Sequence, residues 1–177
     1  MLSFSLQHFM KIQHITYLSL GTNQGNKFEN LQQVINLISD KVGAVQKISS
    51  LYKTASWGFS GNDFYNICIK VTTHLAPEKV LETVLNIEKE LGRQRTNSSV
   101  YENRNIDIDV LLFDDEIIFS KTLIVPHSKM LARKFVMVPL VEIAPNKIHP
   151  IEKKELEVCL QYCTDTSEII VVAKTLV

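Results

Sequence analysis

Apolar residues recur along this chain with two different periods. Leu31, Val34, Ile35 and Ile38 fall at i, i+3, i+4 and i+7, the stripe of an amphipathic helix that ends near Gly43. Asn23 to Asn26, just ahead of it, offers turn chemistry and a helix cap. Val80, Val84, Ile87 and Leu91 form the apolar face of a second helix, with Pro77 at its first turn, Glu78 favouring that terminus and Gly92 as a stop. Elsewhere the period is two. Thr16 to Leu20 reads as a short strand stopping at Gly21, Val45 to Thr54 and Phe64 to Thr73 as further strands, and Ile106 to Phe113 as another. Asp114-Asp115 makes a turn, and Glu116 to Phe119 begins a hairpin return. The pattern then predicts a helix including Phe135 to Ile143 despite Pro139, a helix over Glu152 to Cys163, and an extended segment at Ile169 to Ala173. Residues 93–104 carry no period and read as a long loop.

The order β-α-β-β-α-β predicts an α+β two-layer sandwich. Its core is ferredoxin-like, with helices on one side of a largely antiparallel sheet and C-terminal elements added to it. A length of 177 residues suits one domain: an extension at 1–13, a core at 14–150 and an addition at 151–177. Lys plus Arg and Asp plus Glu are both 19, so no global field draws the chain to a polyanion. Cys68, Cys159 and Cys163 form no even disulfide framework, and no His completes a four-ligand metal set around the last two. The first residues lack a basic n-region and a cleavage site, and no run reaches the roughly 20 apolar residues that span a bilayer. The expectation is a cytoplasmic monomer acting on small molecules, with neither nucleic acid nor membrane as partner.

Asp107 and Asp109 are the strongest chemical signal. Alternation along a strand points both the same way, with Ile106, Ile108 and Val110 on the other face. Their β-carbons would lie about 6.6 Å apart, two rises of about 3.3 Å. Two carboxylates at that spacing repel by roughly 2–3 kcal/mol at an effective dielectric of about 20. A divalent cation would offset the cost, and hard oxygen ligands suit Mg²⁺, which takes one or two carboxylates plus substrate phosphates. The alternative is a solvated sheet face paired with Arg104.

Three further groups stand near this pair in type. On the strand around Asn66, Tyr65, Ile67, Ile69 and Val71 share a core face, while Phe64, Asn66, Cys68 and Lys70 share the other. The second face, preceded by a loop with Trp57 and Phe59, could stack on and hydrogen-bond a flat heterocycle, although an aromatic is more often core. Arg93, Arg95 and Arg104 bracket the long loop, where guanidinium groups could close on phosphates or simply be solvated. Val125-Pro126-His127 with Arg133 and Phe135 follows the hairpin, and His127 is either a ligand contact or structural. His14, His74 and His149 read as structural or exposed. Gly21 to Gly25 lacks the spacing of a P-loop or dinucleotide fingerprint and reads as a strand-to-helix turn that could line a site.

Taken in order, YLSLGTNQGN, SLYKTASWG, DFYNICIKV, IEKELGRQR, RNIDIDVLLF and VPHSKMLARKFVMVPLVEIAP resemble the 6-hydroxymethyl-7,8-dihydropterin pyrophosphokinases, from about Thr16 to Pro150. That resemblance implies transfer of the pyrophosphoryl group of ATP to the hydroxymethyl of a reduced pterin, leaving AMP. It implies two Mg²⁺ ions on Asp107 and Asp109, and a pterin sandwiched by Phe64 and Phe135 and read by Asn66 with Thr54. Arg93 and Arg95 would meet the phosphates, and Glu88, Tyr101, Arg104, His127 and Arg133 would lie along the nucleotide path. No general base stands out. The chain departs from the family pattern at Ala55-Ser56, where Pro-Pro is usual, and at Glu102-Asn103, where Gly-Pro is usual. It departs again at Leu85, where a Gln is common, and near Lys121 and Thr122, where a basic residue usually precedes the Pro-His. Two rivals remain: another two-metal phosphoryl- or nucleotidyl-transferase releasing ADP or pyrophosphate, and an RNA-recognition module, whose aromatic signature string is absent.

Overall fold

The structure, a computed structural model, describes residues 12–56, 61–93 and 105–174. The elements run β1 (His14–Thr22), α1 (Lys27–Lys41), β2 (Gly43–Ile48), β3 (Leu51–Thr54), β4 (Phe64–Thr73), α2 (Pro77–Glu90) and β5 (Asp107–Phe113). Then follow β6 (Ile118–Phe119), β7 (Ile124–Val125), α3 (Lys134–Ile143), α4 (Leu156–Gln161) and β8 (Ile169–Ala173). The main sheet has the order β5-β1-β4-β3-β8, with β2 also on β4, and every pairing is antiparallel. Leaving β8 aside, this is the strand order expected of a ferredoxin-like β-α-β-β-α-β core.

Apolar periodicity explains the layers. Leu31, Val34, Ile35 and Ile38 of α1 and Val80, Val84 and Ile87 of α2 are buried against Leu18, Leu20, Ile67, Ile69, Val71, Ile108 and Val110 of the sheet. Asn26 caps α1, its side chain accepting from Glu29 N–H at 3.4 Å. At the far end of α2, Gly92 takes a positive φ of 84° that ends the helix. The C-terminal elements cover the opposite face. Val136, Met137 and Leu140 of α3, with Leu156 and Cys159 of α4, pack on Tyr17, Cys68, Leu111 and Leu112. The two-layer core thus gains a further helical layer over part of its second face.

Four boundaries differ from the pattern. β1 continues through Gly21 to Thr22, because both residues still pair with β4 and Gly21 also pairs with β5. The run from Val45 to Thr54 is two strands, interrupted where Ser49 Oγ accepts the Cys68 N–H at 3.0 Å in place of a ladder carbonyl. β6 pairs with β7 in a separate two-stranded sheet rather than returning along β5. The last helix begins only at Leu156, since Glu155 bridges to Ile148 around a turn. Among the described residues, no helix is long and apolar enough to cross a membrane.

His149 closes that turn. It is buried, and its Nδ1 accepts from Ile151 N–H at 3.3 Å and Glu152 N–H at 3.1 Å, which requires an unprotonated Nδ1. Burial lowers its pKa below the ordinary value, opposed by Glu152. A histidine whose pKa is depressed on folding contributes stability that is present above the unfolded pKa of about 6.5 and is lost as pH falls through the folded value. Thermal unfolding followed between pH 8 and pH 5 is therefore expected to show a falling midpoint below about pH 6.5 that flattens in His149→Gln. At neutral pH that variant should lose roughly 1–3 kcal/mol, the cost of unsatisfied buried groups.

Candidate active site

β5 presents Asp107 and Asp109 away from α1 and α2, with Ile108 and Val110 turned into the core beneath. Each carboxylate meets cations from other elements. Arg93, just past α2, brings Nη1 to Asp107 Oδ1 at 2.5 Å and also to Glu88 Oε1. Glu88 is only 1% exposed, and the same Oε1 accepts the Ile108 N–H at 2.8 Å. One buried carboxylate therefore fastens the end of α2, the arginine and strand β5 together. Asp109 Oδ2 lies 3.6 Å from Arg133 Nη1 and 4.0 Å from His127 Nε2. His127 is aimed by its surroundings: its backbone N–H donates to the Leu111 carbonyl at 2.9 Å and its ring Nδ1 accepts from Lys129 N–H at 3.3 Å.

Burial pushes the Asp109 carboxyl above the ordinary range and the Asp107 charge adds to it, while His127, Arg133 and Arg93 pull it back. Burial lowers His127, against the pull of Asp109. Among the described residues, no three of His, Cys, Asp and Glu gather as a metal site. The protein thus offers two carboxylates on one face of β5. That donor set fits Mg²⁺, which fills its remaining positions with water and phosphate oxygens.

Across the sheet, Gly21 of β1 stands opposite Asp107 on one side and Asn66 on the other. A Cβ at Gly21 would lie 3.1 Å from Asn66 Oδ1 and 3.7 Å from Phe64 Cδ1, so the absent side chain leaves room for both. Asn66 is 3% exposed and its amide nitrogen donates to Thr54 Oγ1 at 2.9 Å. Cys68 lies on this face as expected, but α3 covers it there, its Sγ 3.5 Å from the Val136 carbonyl. Arg133 and Phe135 flank the start of α3, the guanidinium 5.6 Å from the ring centroid. The structure therefore brings together Thr54, Phe64, Asn66 and Gly21, and beside them Glu88, Arg93, Asp107, Asp109, His127, Arg133 and Phe135. Arg95, Tyr101, Arg104, Trp57 and Phe59 lie outside the described residues.

Some supporting residues carry roles that the sequence did not assign. Glu142 of α3 accepts from Ser50 N–H at 2.9 and 3.0 Å, from Ser50 Oγ at 2.8 Å and from Tyr52 Oη at 2.8 Å. Burial and then Glu142 push the Tyr52 hydroxyl up to about 12. The break between β2 and β3 thus frees a backbone donor for α3. Two serines interrupting an alternating run were the one available signal.

The family model for 7,8-dihydro-6-hydroxymethylpterin-pyrophosphokinase (HPPK) matches residues 17–145, which include this whole polar row. The chain belongs to that family. It is 39% identical over 142 residues to the 2-amino-4-hydroxy-6-hydroxymethyldihydropteridine pyrophosphokinase of Aquifex aeolicus (strain VF5), covering 80% of this chain and 87% of that protein. The Bacillus subtilis (strain 168) enzyme of the same name is 38% identical over 134 residues, covering 75% and 79%. Among solved structures, wild-type HPPK-DHPS of Plasmodium falciparum superposes with a TM-score of 0.73 at 16% identity. That match covers 85% of this chain and 45% of the other, so the chain spans about half the length of this solved relative and shares its fold. The HPPK family thus accounts for the motif order, and the fold expected for it is the one observed.

Glu88 is expected to be the most sensitive buried polar position. Glu88→Ala would strip the acceptor from the Ile108 N–H and from Arg93, so denaturant unfolding should show a loss of about 3–5 kcal/mol, the scale of a broken buried ion pair. A loss below about 1 kcal/mol would mean that the Glu88–Arg93 contact is unimportant to the fold.

Proposed function

We propose that this chain transfers the pyrophosphoryl group of ATP to 6-hydroxymethyl-7,8-dihydropterin, giving AMP and the pterin diphosphate for folate synthesis, in the cytoplasm. The observation that carries the reading is one polar row of an HPPK-family sheet. It holds a carboxylate pair at one end and a Thr54–Asn66 hydrogen-bonded couple at the other, with side-chain-free Gly21 between them. The free thiols of Cys68, Cys159 and Cys163 agree with a reducing compartment.

In this reading the pterin stacks between Phe64 and Phe135, and Asn66, oriented by Thr54, reads its polar edge. Asp107 and Asp109 would hold two Mg²⁺, which would supply charge neutralisation on the phosphates. Arg93 trades its contact with Asp107 for the phosphates as the nucleotide enters, and Glu88 keeps its guanidinium within reach. Arg133 adds positive charge beside Asp109, His127 offers its Nε2–H there, and Arg95, Tyr101 and Arg104 complete the nucleotide path. The pterin hydroxymethyl oxygen bonds to the β-phosphorus, the bond from that phosphorus to the α-β bridging oxygen breaks, and AMP leaves with that oxygen. The hydroxyl proton passes to solvent or phosphate. Catalysis here consists of positioning and electrostatics rather than a dedicated base.

Incubation with Mg·ATP and hydroxymethyl-dihydropterin should release AMP only when the pterin is present. Release of ADP or of free pyrophosphate would overturn the reading. Asp107→Ala and Asp109→Ala should each lower kcat by roughly 10³-fold or more, through lost charge stabilisation worth several kcal/mol, while circular dichroism stays that of the parent. Gly21→Ala tests the other end of the row. The added methyl should displace Asn66 and raise KM for the pterin by roughly tenfold, the scale of a sub-ångström misplacement, with KM for ATP unchanged.

A further inference from the structure

The helix that carries Phe135 starts without a cap of its own. Arg133 occupies the position before Lys134, where Ser, Thr, Asp or Asn usually accepts from first-turn N–H groups, and its side chain makes no such bond. An arginine has no acceptor to offer, and this one brings its guanidinium to 3.6 Å from Asp109. The acceptor comes from far along the chain. Asp165, 31 residues on, takes the Lys134 N–H on Oδ2 at 2.8 Å. Its Oδ1 takes the Ser167 N–H at 2.9 Å, and Lys134 Nζ reaches back to the Ser167 carbonyl at 3.1 Å. Burial works against the ionised form of Asp165, yet the bonds from Ser167 and Lys134 hold its pKa below the ordinary value. A carboxylate at that place also complements the positive end of the helix.

Shortly after Ser167 the chain enters β8 and pairs with β3, Ile169 opposite Thr54 and Val171 opposite Tyr52. Residues 165–173 therefore bridge the first turn of α3, which carries Phe135, and the end of β3, which carries Thr54. At its other end α3 is already fastened to Ser50 and Tyr52 through Glu142. Phe135 and Glu142 are seven positions apart, about two turns, so they lie on one side of the helix. Val136, Met137 and Leu140 pack the helix onto the sheet through apolar contacts, which fix direction loosely. The Asp165 contact adds a directional hydrogen bond at the first turn, one residue from Phe135.

We infer that Asp165 is a positioning residue for the pterin site: by capping Lys134 it sets where the first turn of α3 holds Phe135 relative to Thr54 and Asn66. The inference rests on the reading of Phe135 as a pterin contact. It gives the C-terminal segment, which lies beyond the matched residues 17–145, a part in substrate binding.

The test is a double-mutant cycle on pterin affinity, measured by titrating 6-hydroxymethylpterin against the full chain and following ligand fluorescence, with thermal midpoints recorded alongside. Asp165→Ala is expected to weaken binding by about fivefold, the scale of a lost helix cap. Asp165→Asn, which keeps an oxygen for Lys134 N–H, should recover most of that loss. In a Phe135→Ala background, Asp165→Ala should cost nothing further, because its effect passes through the ring. Full additivity in the double variant, or unchanged affinity in folded Asp165→Ala, would overturn the inference while leaving the role of Phe135 intact. If Phe135→Ala alone binds like the parent, the reading of Phe135 fails and the inference falls with it. Should Asp165→Ala not fold, Asp165→Glu, one methylene longer, carries the same comparison.

Discussion

Strand β1 is paired on both edges, and the two registers meet at Gly21. Asp107 stands across from it on β5 and Asn66 on β4. Two antiparallel spacings separate that acid from that amide by about 10 Å between α-carbons. A slip of one residue in either pairing would turn Asp107 and Asp109, or Asn66, into the apolar layer below α1 and α2. The packing of Leu18, Leu20, Ile67, Ile69, Ile108 and Val110 against those helices forbids the slip. The burial of an ordinary apolar face therefore sets the alignment of the polar face behind it. Gly21 adds a local requirement, since a side chain there would press on Asn66.

On that polar face the electrostatics are borrowed from all around the fold. Asp107 draws on Arg93 from the end of α2, and Asp109 on His127 after β7 and Arg133 before α3. These contacts hold the acids in place, while burial, and then the Asp107 charge, raise the Asp109 carboxyl. The formal net charge of zero thus conceals two acids gathered on one strand and met by cations from other elements.

Much of this was legible in the residues. The periodicity of α1 and α2, the Pro77 start, the Gly92 stop and the alternation that sends Asp107 and Asp109 to one face all stand in the structure. Each depends on neighbours within a turn or two, where backbone geometry alone decides. The misread boundaries have non-local causes. Thr22 extends β1 because β4 is there to pair with it, and Ser49 breaks the β2–β3 run because its hydroxyl satisfies Cys68 across the sheet. Cys68 left the candidate site because α3 settles on it.

The chain by itself determined the elements, the two faces of each strand and the chemical types available: a carboxylate pair, arginines beside a loop, and an aromatic-amide strand face. These follow from periods of two and 3.6, which are properties of a backbone a few residues long. Only the tertiary structure decided which of those groups meet. The registers of β1, the Glu88–Ile108 and Arg93–Asp107 contacts and the fastening of α3 by Glu142 and Asp165 join residues far apart in the chain. Such contacts form because nearly all buried donors and carboxylates find a partner once the core has closed, and the partner nearest in space is set by the packing.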